Sequence, residues 1–146
     1  MSDETAASPR IPPAIGIGLT PYLTIQGGRG REAMRFYEAA FQAREVFLNM
    51  ADDGKRVLHG RILVNGALVF LSDHFGEMRG EAEAPAAPAG VTLHLQVDDA
   101  DAWAERAKGA GAEIVMPVAE MFWGDRYGQV RDPFGHSWSI GSSPKR

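Results

Sequence analysis

Two stretches of the chain, Leu19 to Gln26 and Val91 to Asp98, alternate apolar and polar side chains with a period of two, the pattern of a strand with one buried face. The same series of signals follows each. A helical period comes next, with Ala33, Phe36, Tyr37, Ala40 and Phe41 on one apolar stripe and Ala100, Trp103, Ala104 and Ala107 on another. Asp98 or Asp99 offers an N-cap for the second helix, and Lys108-Gly109-Ala110-Gly111 ends it. A short strand follows each helix, Arg44 to Leu48 and Glu113 to Met116. Two hairpin strands then close each half. Val57 to Val64 and Ala67 to Ser72 flank Asn65-Gly66, which supplies the two positive φ angles of a type I′ turn. Tyr127 to Arg131 and His136 to Gly141 flank Asp132-Pro133-Phe134-Gly135.

A chain that repeats one βαβββ unit folds as two related modules of the α+β class. The modules are expected at residues 18–75 and 91–142, after an N-terminal tail (1–17) expected to be disordered. A small-residue linker (76–90) joins them, and residues 143–146 form a short C-terminal tail. Pro21, lacking a donor, belongs at a strand start.

Composition narrows the partners. Hydrophobic residues make up 45% and charged residues 23%, the balance of a soluble globular protein. The longest uninterrupted apolar run, Ala67 to Leu71, is far short of the ~20 residues a bilayer span needs. A net charge of −4 with mixed signs offers no stripe for a nucleic acid backbone. The absence of cysteine removes disulfides and thiolate chemistry. A cytoplasmic protein with neither nucleic acid nor membrane as partner is expected.

Alternation also sorts the strand faces. The set expected to receive the helices is Pro21, Leu23, Ile25, Leu58, Ile62, Val64, Val69, Leu71, Leu93, Leu95, Val97, Trp138 and Ile140. On the opposite face fall Thr20, Tyr22, Thr24, His59, Arg61, Leu68, Phe70, Thr92, His94, Gln96, Tyr127, Gln129, Ser137 and Ser139. That face is hydrogen-bonding and aromatic, with little Lys or Glu, and suits either a concave pocket or a solvated or subunit-contact surface.

The paired βαβββ halves, the run Phe122-Trp123-Gly124-Asp125-Arg126-Tyr127-Gly128 and the turn Asp132-Pro133-Phe134-Gly135-His136 resemble the vicinal oxygen chelate superfamily of glyoxalases, extradiol dioxygenases and bleomycin- or fosfomycin-resistance proteins. The PhnB-like branch is the most similar. The resemblance covers about residues 18 to 142. It implies two modules forming a U-shaped mixed sheet around a ligand cavity, in a homodimer whose modules are sometimes swapped. Metal-dependent members supply a His from the first strand of each module and a Glu from the last. Carried across, that pattern falls on Thr20, Phe70, Thr92 and Ser139, none of them a His or carboxylate, so no metal cofactor is expected at the usual site.

Tyr22, His59, Arg61, Phe70, His94, Trp123, Tyr127 and Gln129 are the candidate ligand-binding residues. Arg61 on an inward face calls for an anion, or for a structural partner such as Glu45 or Asp73. His94 is the candidate general acid or base, since imidazole titrates near neutral pH. His59 and His94 are also the candidates for a displaced divalent metal site. Met121, Phe122 and Trp123 suit a lid or a subunit contact, because three large apolar groups left in water forgo ~1.5–3 kcal/mol each. Arg126 and Asp125 suit pairing with each other or across a dimer interface, and Trp138 suits the core.

Three further stretches carry less. Gly27-Gly28-Arg29-Gly30 matches no phosphate-binding fingerprint and reads as a flexible loop. Ser72-Asp73-His74 lacks the elbow of a hydrolase. Ala51 to Lys55 reads as a turn, with too few carboxylates for a calcium loop. The reading these residues support is a metal-free binding protein for a small, planar or anionic organic molecule. The alternatives are a metal-dependent isomerase, lyase or dioxygenase using His59 and His94, and an interaction protein whose polar face packs in the dimer.

Overall fold

The computed structural model describes residues 18–80 and 87–144; the expected tail at 1–17 lies outside them. The first module runs β1 (Tyr22–Ile25), α1 (Gly30–Phe41), β2 (Arg44–Met50), β3 (Val57–Val64) and β4 (Ala67–Asp73). One helical turn, α2 (Gly76–Arg79), opens the stretch expected as linker. The second module repeats the order with β5 (Thr92–Val97), α3 (Ala100–Ala110), β6 (Glu113–Glu120), β7 (Arg126–Arg131) and β8 (Ser137–Ser142). Each module makes its own four-stranded sheet, β1-β4-β3-β2 and β5-β8-β7-β6, with the first strand parallel to the last and the other pairings antiparallel. No strand pairing joins the two sheets among the described residues, so they do not close into one barrel.

Local chemistry accounts for the element ends. Asn65 and Gly66 have φ of 50° and 84°, the pair of left-handed residues that a tight β3–β4 hairpin requires. Asp99 caps α3, its carboxylate accepting from the Ala102 amide at 3.1 Å. The start of α1 is capped from afar: Asp73, at the end of β4, accepts from Gly30 N at 2.8 Å and Val57 N at 2.6 Å. A Cβ at position 30 would lie 2.5 Å from the Asp73 Oδ2 atom, so only glycine lets the helix start there. The Gly27–Gly30 loop is therefore built around the protein's own carboxylate.

Both helices lie on one shared core. Tyr37, Phe41, Ile25, Ile62 and Leu71 from the first module and Leu95, Val130, Trp138 and Ile140 from the second are buried in a single cluster. Trp138 is core, as its alternation indicates. Asp132 ties the halves together: it accepts from Tyr37 Oη at 2.5 Å, Trp138 Nε1 at 2.9 Å and the amides of Phe134 and His136. Two further bonds cross between the halves, Asn65 Nδ2 donating to Gln96 O at 2.9 Å and Arg106 Nε to Ala40 O at 3.0 Å. No helix among the described residues is long and apolar enough to cross a membrane.

One core assignment from the alternation fails. Leu58 is 37% exposed, while Val57 is fully buried. Asn49 pairs with His59 but Met50 with Val57, so β3 carries one extra residue at this point. Such a bulge resets the facing of the strand and turns Leu58 out.

Candidate functional site

Strand register builds the face opposite the helices. In the first sheet Tyr22 pairs with Phe70, Phe70 with Arg61 and Arg61 with Phe47, so one row crosses all four strands. The corresponding row of the second sheet is His94, Ser139, Gln129 and Met116. The eight candidate residues thus divide into two groups, each within one module.

The first group, Tyr22, His59, Arg61 and Phe70, is an aromatic nest around a cation. The Arg61 guanidinium lies over the rings of Phe47 and Phe70, at 4.8 and 5.3 Å from their centroids. Its Nε donates to His59 Nε2 at 3.0 Å, and His59 Nδ1 meets Tyr22 Oη at 3.0 Å. The His59 ring stands edge-on to Phe70 with centroids 4.9 Å apart, and to Tyr22 at 5.5 Å. Burial, and then the adjacent Arg61 charge, hold the His59 imidazole below its ordinary value.

Neither expected partner of Arg61 is used. Asp73 is committed to the backbone of Gly30 and Val57, and Glu45 sits 4.0 Å from Arg35. Among the described residues no carboxylate pairs with Arg61. Phe47 belongs to this nest as well, although no sequence pattern fixes the facing of the second strand. A bulge between Glu45 and Phe47 breaks the alternation there.

The second group is polar. His94 Nδ1 meets Ser139 Oγ at 2.7 Å and its Nε2 meets Gln96 Oε1 at 2.8 Å, so both ring nitrogens are engaged. The ring stacks on Tyr127 at 6.0 Å, and Gln129 Nε2 donates to Tyr127 Oη at 3.1 Å. Trp123 stands edge-on to Tyr127 at 6.1 Å. It lies with Phe122 at the tip of the β6–β7 turn, where Met121 N bonds Asp125 O and Gly124 takes φ 98°. This tip is largely exposed, Phe122 at 97% and Trp123 at 52%. Arg126 pairs with Asp101 at 2.6 Å rather than with Asp125, because β7 runs beside the first turn of α3.

Several concavities lie away from these two groups, one of about 600 Å³ between α3 and β6. A groove of about 520 Å³ runs between β1 and β5, with Pro21, Leu23, Val91 and Leu93 among its apolar walls, and Tyr22 is the one candidate residue on it. His94 borders a cavity of about 150 Å³ beside Pro21, Val64 and Trp138.

Strand register places the four positions that the resemblance to metal-binding relatives singles out. Thr20 precedes β1, and Thr92 pairs with Ser137; the residues across from Phe70 and Ser139 are Tyr22 and His94. A phenol, a phenyl ring, an imidazole and an aliphatic hydroxyl supply one good donor and no carboxylate, which does not fit a divalent ion. His59 and His94 stand in different sheets, and each has both ring nitrogens in hydrogen bonds. Among the described residues no group of three or more His, Cys, Asp or Glu is placed to hold a metal.

Comparison with known proteins gives a consistent result. Residues 20–140 match the sequence profile of the Glyoxalase/Bleomycin resistance protein/Dioxygenase superfamily. An uncharacterized protein of Mycobacterium bovis, Mb0911c, is 41% identical over 126 residues, covering 84% of this chain and 81% of its own length. Among solved structures, a gene product from Arabidopsis thaliana superimposes with a TM-score of 0.67 at 27% identity over 86% of this chain and 98% of that one. A PhnB protein from Bacillus cereus does so with a TM-score of 0.66 at 21% identity, over the same shares of the two chains.

Proposed function

Since the chain belongs to the Glyoxalase/Bleomycin resistance protein/Dioxygenase superfamily, we propose that it binds a small, planar, anionic organic molecule on the open face of its first sheet, without a metal ion. One observation carries this reading: a half-buried guanidinium, packed between Phe47 and Phe70, with no carboxylate partner among the described residues. Holding a cation among rings costs desolvation that an incoming anion offsets. With Nε given to His59, the two terminal nitrogens form a fork that matches a carboxylate. The flanking rings favour a flat ligand stacked on their faces.

The second sheet contributes polar groups rather than charge, and a second copy of the chain supplies the missing wall. Tyr22, Phe47, Leu58, Val115, Met116, Phe122 and Trp123 are all more than a third exposed. That much apolar surface on one chain suits burial in a homodimer.

Arg61→Leu tests the binding site. An aromatic carboxylate such as benzoate is expected to lose at least about ten-fold in affinity, with the melting temperature nearly unchanged. Unchanged affinity together with a large drop in melting temperature makes Arg61 structural and removes the proposal.

A further inference from the structure

The hydrogen bonds around His59 have only one consistent assignment of protons. A guanidinium Nε always donates, so His59 Nε2, 3.0 Å from Arg61 Nε, is an acceptor and carries no hydrogen. The proton of the neutral ring therefore resides on Nδ1, which faces Tyr22 Oη at 3.0 Å and donates to it. The Tyr22 oxygen accepts that bond, and its own hydrogen is left to point elsewhere. Tyr22 is 55% exposed, so elsewhere is the open face of the sheet.

We infer that Arg61 fixes the tautomer of His59, and that His59 in turn makes the Tyr22 hydroxyl an outward hydrogen-bond donor, so that the site favours an oxyanion over a ligand that offers only donors. The inference rests on reading this face as the anion site. It adds a specificity rule: the Arg61 terminal N–H groups and the Tyr22 O–H all donate, and the imidazole has no free acceptor nitrogen to offer. An aromatic carboxylate satisfies such a face. An aromatic amide offers these donors one neutral carbonyl oxygen in place of two charged ones, and an aromatic ammonium adds like charge, so both bind more weakly.

The groups that face His59 support a fixed proton arrangement. Tyr22 stands on β1, Phe70 on β4, Arg61 on β3 itself and Phe47 on β2, and the single ionic charge among these is that of Arg61. Burial and that charge both disfavour a second proton on the ring. The imidazole on the open face of the second module, which stands at the register position of Tyr22, has the opposite arrangement. His94 Nε2 faces the Gln96 amide oxygen, an acceptor, so it carries the hydrogen while Nδ1 accepts from Ser139 Oγ.

Nitrogen-15 NMR of the full chain reads this directly, since protonated and bare ring nitrogens differ widely in chemical shift. At pH 7 His59 is expected to show a protonated Nδ1 and a bare Nε2, and Arg61→Leu is expected to give a mixture of tautomers. A protonated Nε2 on His59 in the wild-type chain, or a doubly protonated ring, overturns the inference. The second readout is benzoate titration. Tyr22→Phe is expected to weaken benzoate by about ten-fold or more, the effect of removing a hydrogen bond to a charged group, and to narrow the preference for benzoate over benzamide. Equal benzoate affinity in wild type and Tyr22→Phe, with Arg61→Leu impaired, overturns the donor role of Tyr22 and leaves the anion site standing. Absence of benzoate binding in every form removes the anion site itself, and the NMR tautomers still decide the proton arrangement.

Discussion

The two modules share a topology and differ in what they place on the open face. At corresponding register positions the first sheet carries Tyr22, Phe70, Arg61 and Phe47, and the second carries His94, Ser139, Gln129 and Met116. One row concentrates rings around a cation; the other is a chain of neutral hydrogen-bonding groups ending in a thioether. The helix-facing residues, by contrast, remain apolar in both modules and merge into one core. A repeat fold thus keeps its packing face under one constraint while its open faces diverge, and chemistry resides where they diverge.

The largest effect is expected where the modules grip each other. Each reaches across from its hairpin turn, the first with Asn65 and the second with Asp132. The grips are unequal, because Asp132 is buried with four donors and Asn65 is exposed with one acceptor. Asp132→Ala leaves the Tyr37 hydroxyl and Trp138 indole N–H buried without an acceptor. It should cost about 3–5 kcal/mol in urea unfolding, still as one cooperative transition. Asn65→Gly keeps the positive φ and loses one exposed bond, about 1 kcal/mol or less. Equal losses at the two positions break the asymmetry.

A second comparison sets Asp132 against Asp73, the buried carboxylate of the first module. Burial raises Asp132, but hydrogen bonding from His136, Tyr37 and Trp138 outweighs it and holds the group below the ordinary value. Burial raises Asp73 more than the Val57 and Gly30 amides lower it. A depressed folded value gives stability present above the unfolded value of about 3.9 and lost as pH falls through the folded one. A raised folded value does the reverse, favouring the fold as the carboxyl takes up its proton. Asp132→Asn should therefore flatten the loss of melting temperature below about pH 4, whereas Asp73→Asn should remove a gain that accompanies acidification from the raised folded value of Asp73 down to about pH 4. The same slope in both variants contradicts these directions.

Smaller changes sharpen the difference between the open faces. Light scattering at micromolar concentration is expected to find a dimer, and the double change Phe122→Ser, Trp123→Ser to shift it toward monomer. A wild-type monomer removes the second copy from the account. Gly141→Ala should displace the His94 ring, because a Cβ there comes 3.0 Å from His94 Cε1, and the shift is read in the imidazole resonances. The first sheet already carries a side chain, Ser72, at the corresponding position beside β1, so Ser72→Ala should change stability little.

The repeat, both helices and the Asn-Gly hairpin were legible because each rests on short-range rules: period two, period 3.6 and a turn that demands positive φ. The facing of Leu58 and the role of Phe47 were not, since both sit beside bulges that only strand pairing reveals. The candidate residues fall on the expected open faces by alternation, yet their partners depend on register: Arg61 with His59, Arg126 with Asp101, His94 with Ser139 and Gln96. Asp73 and Asp132 carried a weak signal, each an acid directly after a strand pattern. Which amides they cap is a tertiary fact.

The central claim is that the divergence of the two faces makes the first one an anion site that needs no metal. Calorimetric titration of benzoate into chelator-treated protein, in wild type and in the register-matched pair Arg61→Leu and Gln129→Leu, tests it most directly. Saturable binding that Arg61→Leu abolishes, Gln129→Leu preserves and added divalent metal leaves unchanged is the expected result. Binding that survives Arg61→Leu, or that emerges only when zinc, iron, manganese or nickel is added, contradicts the account.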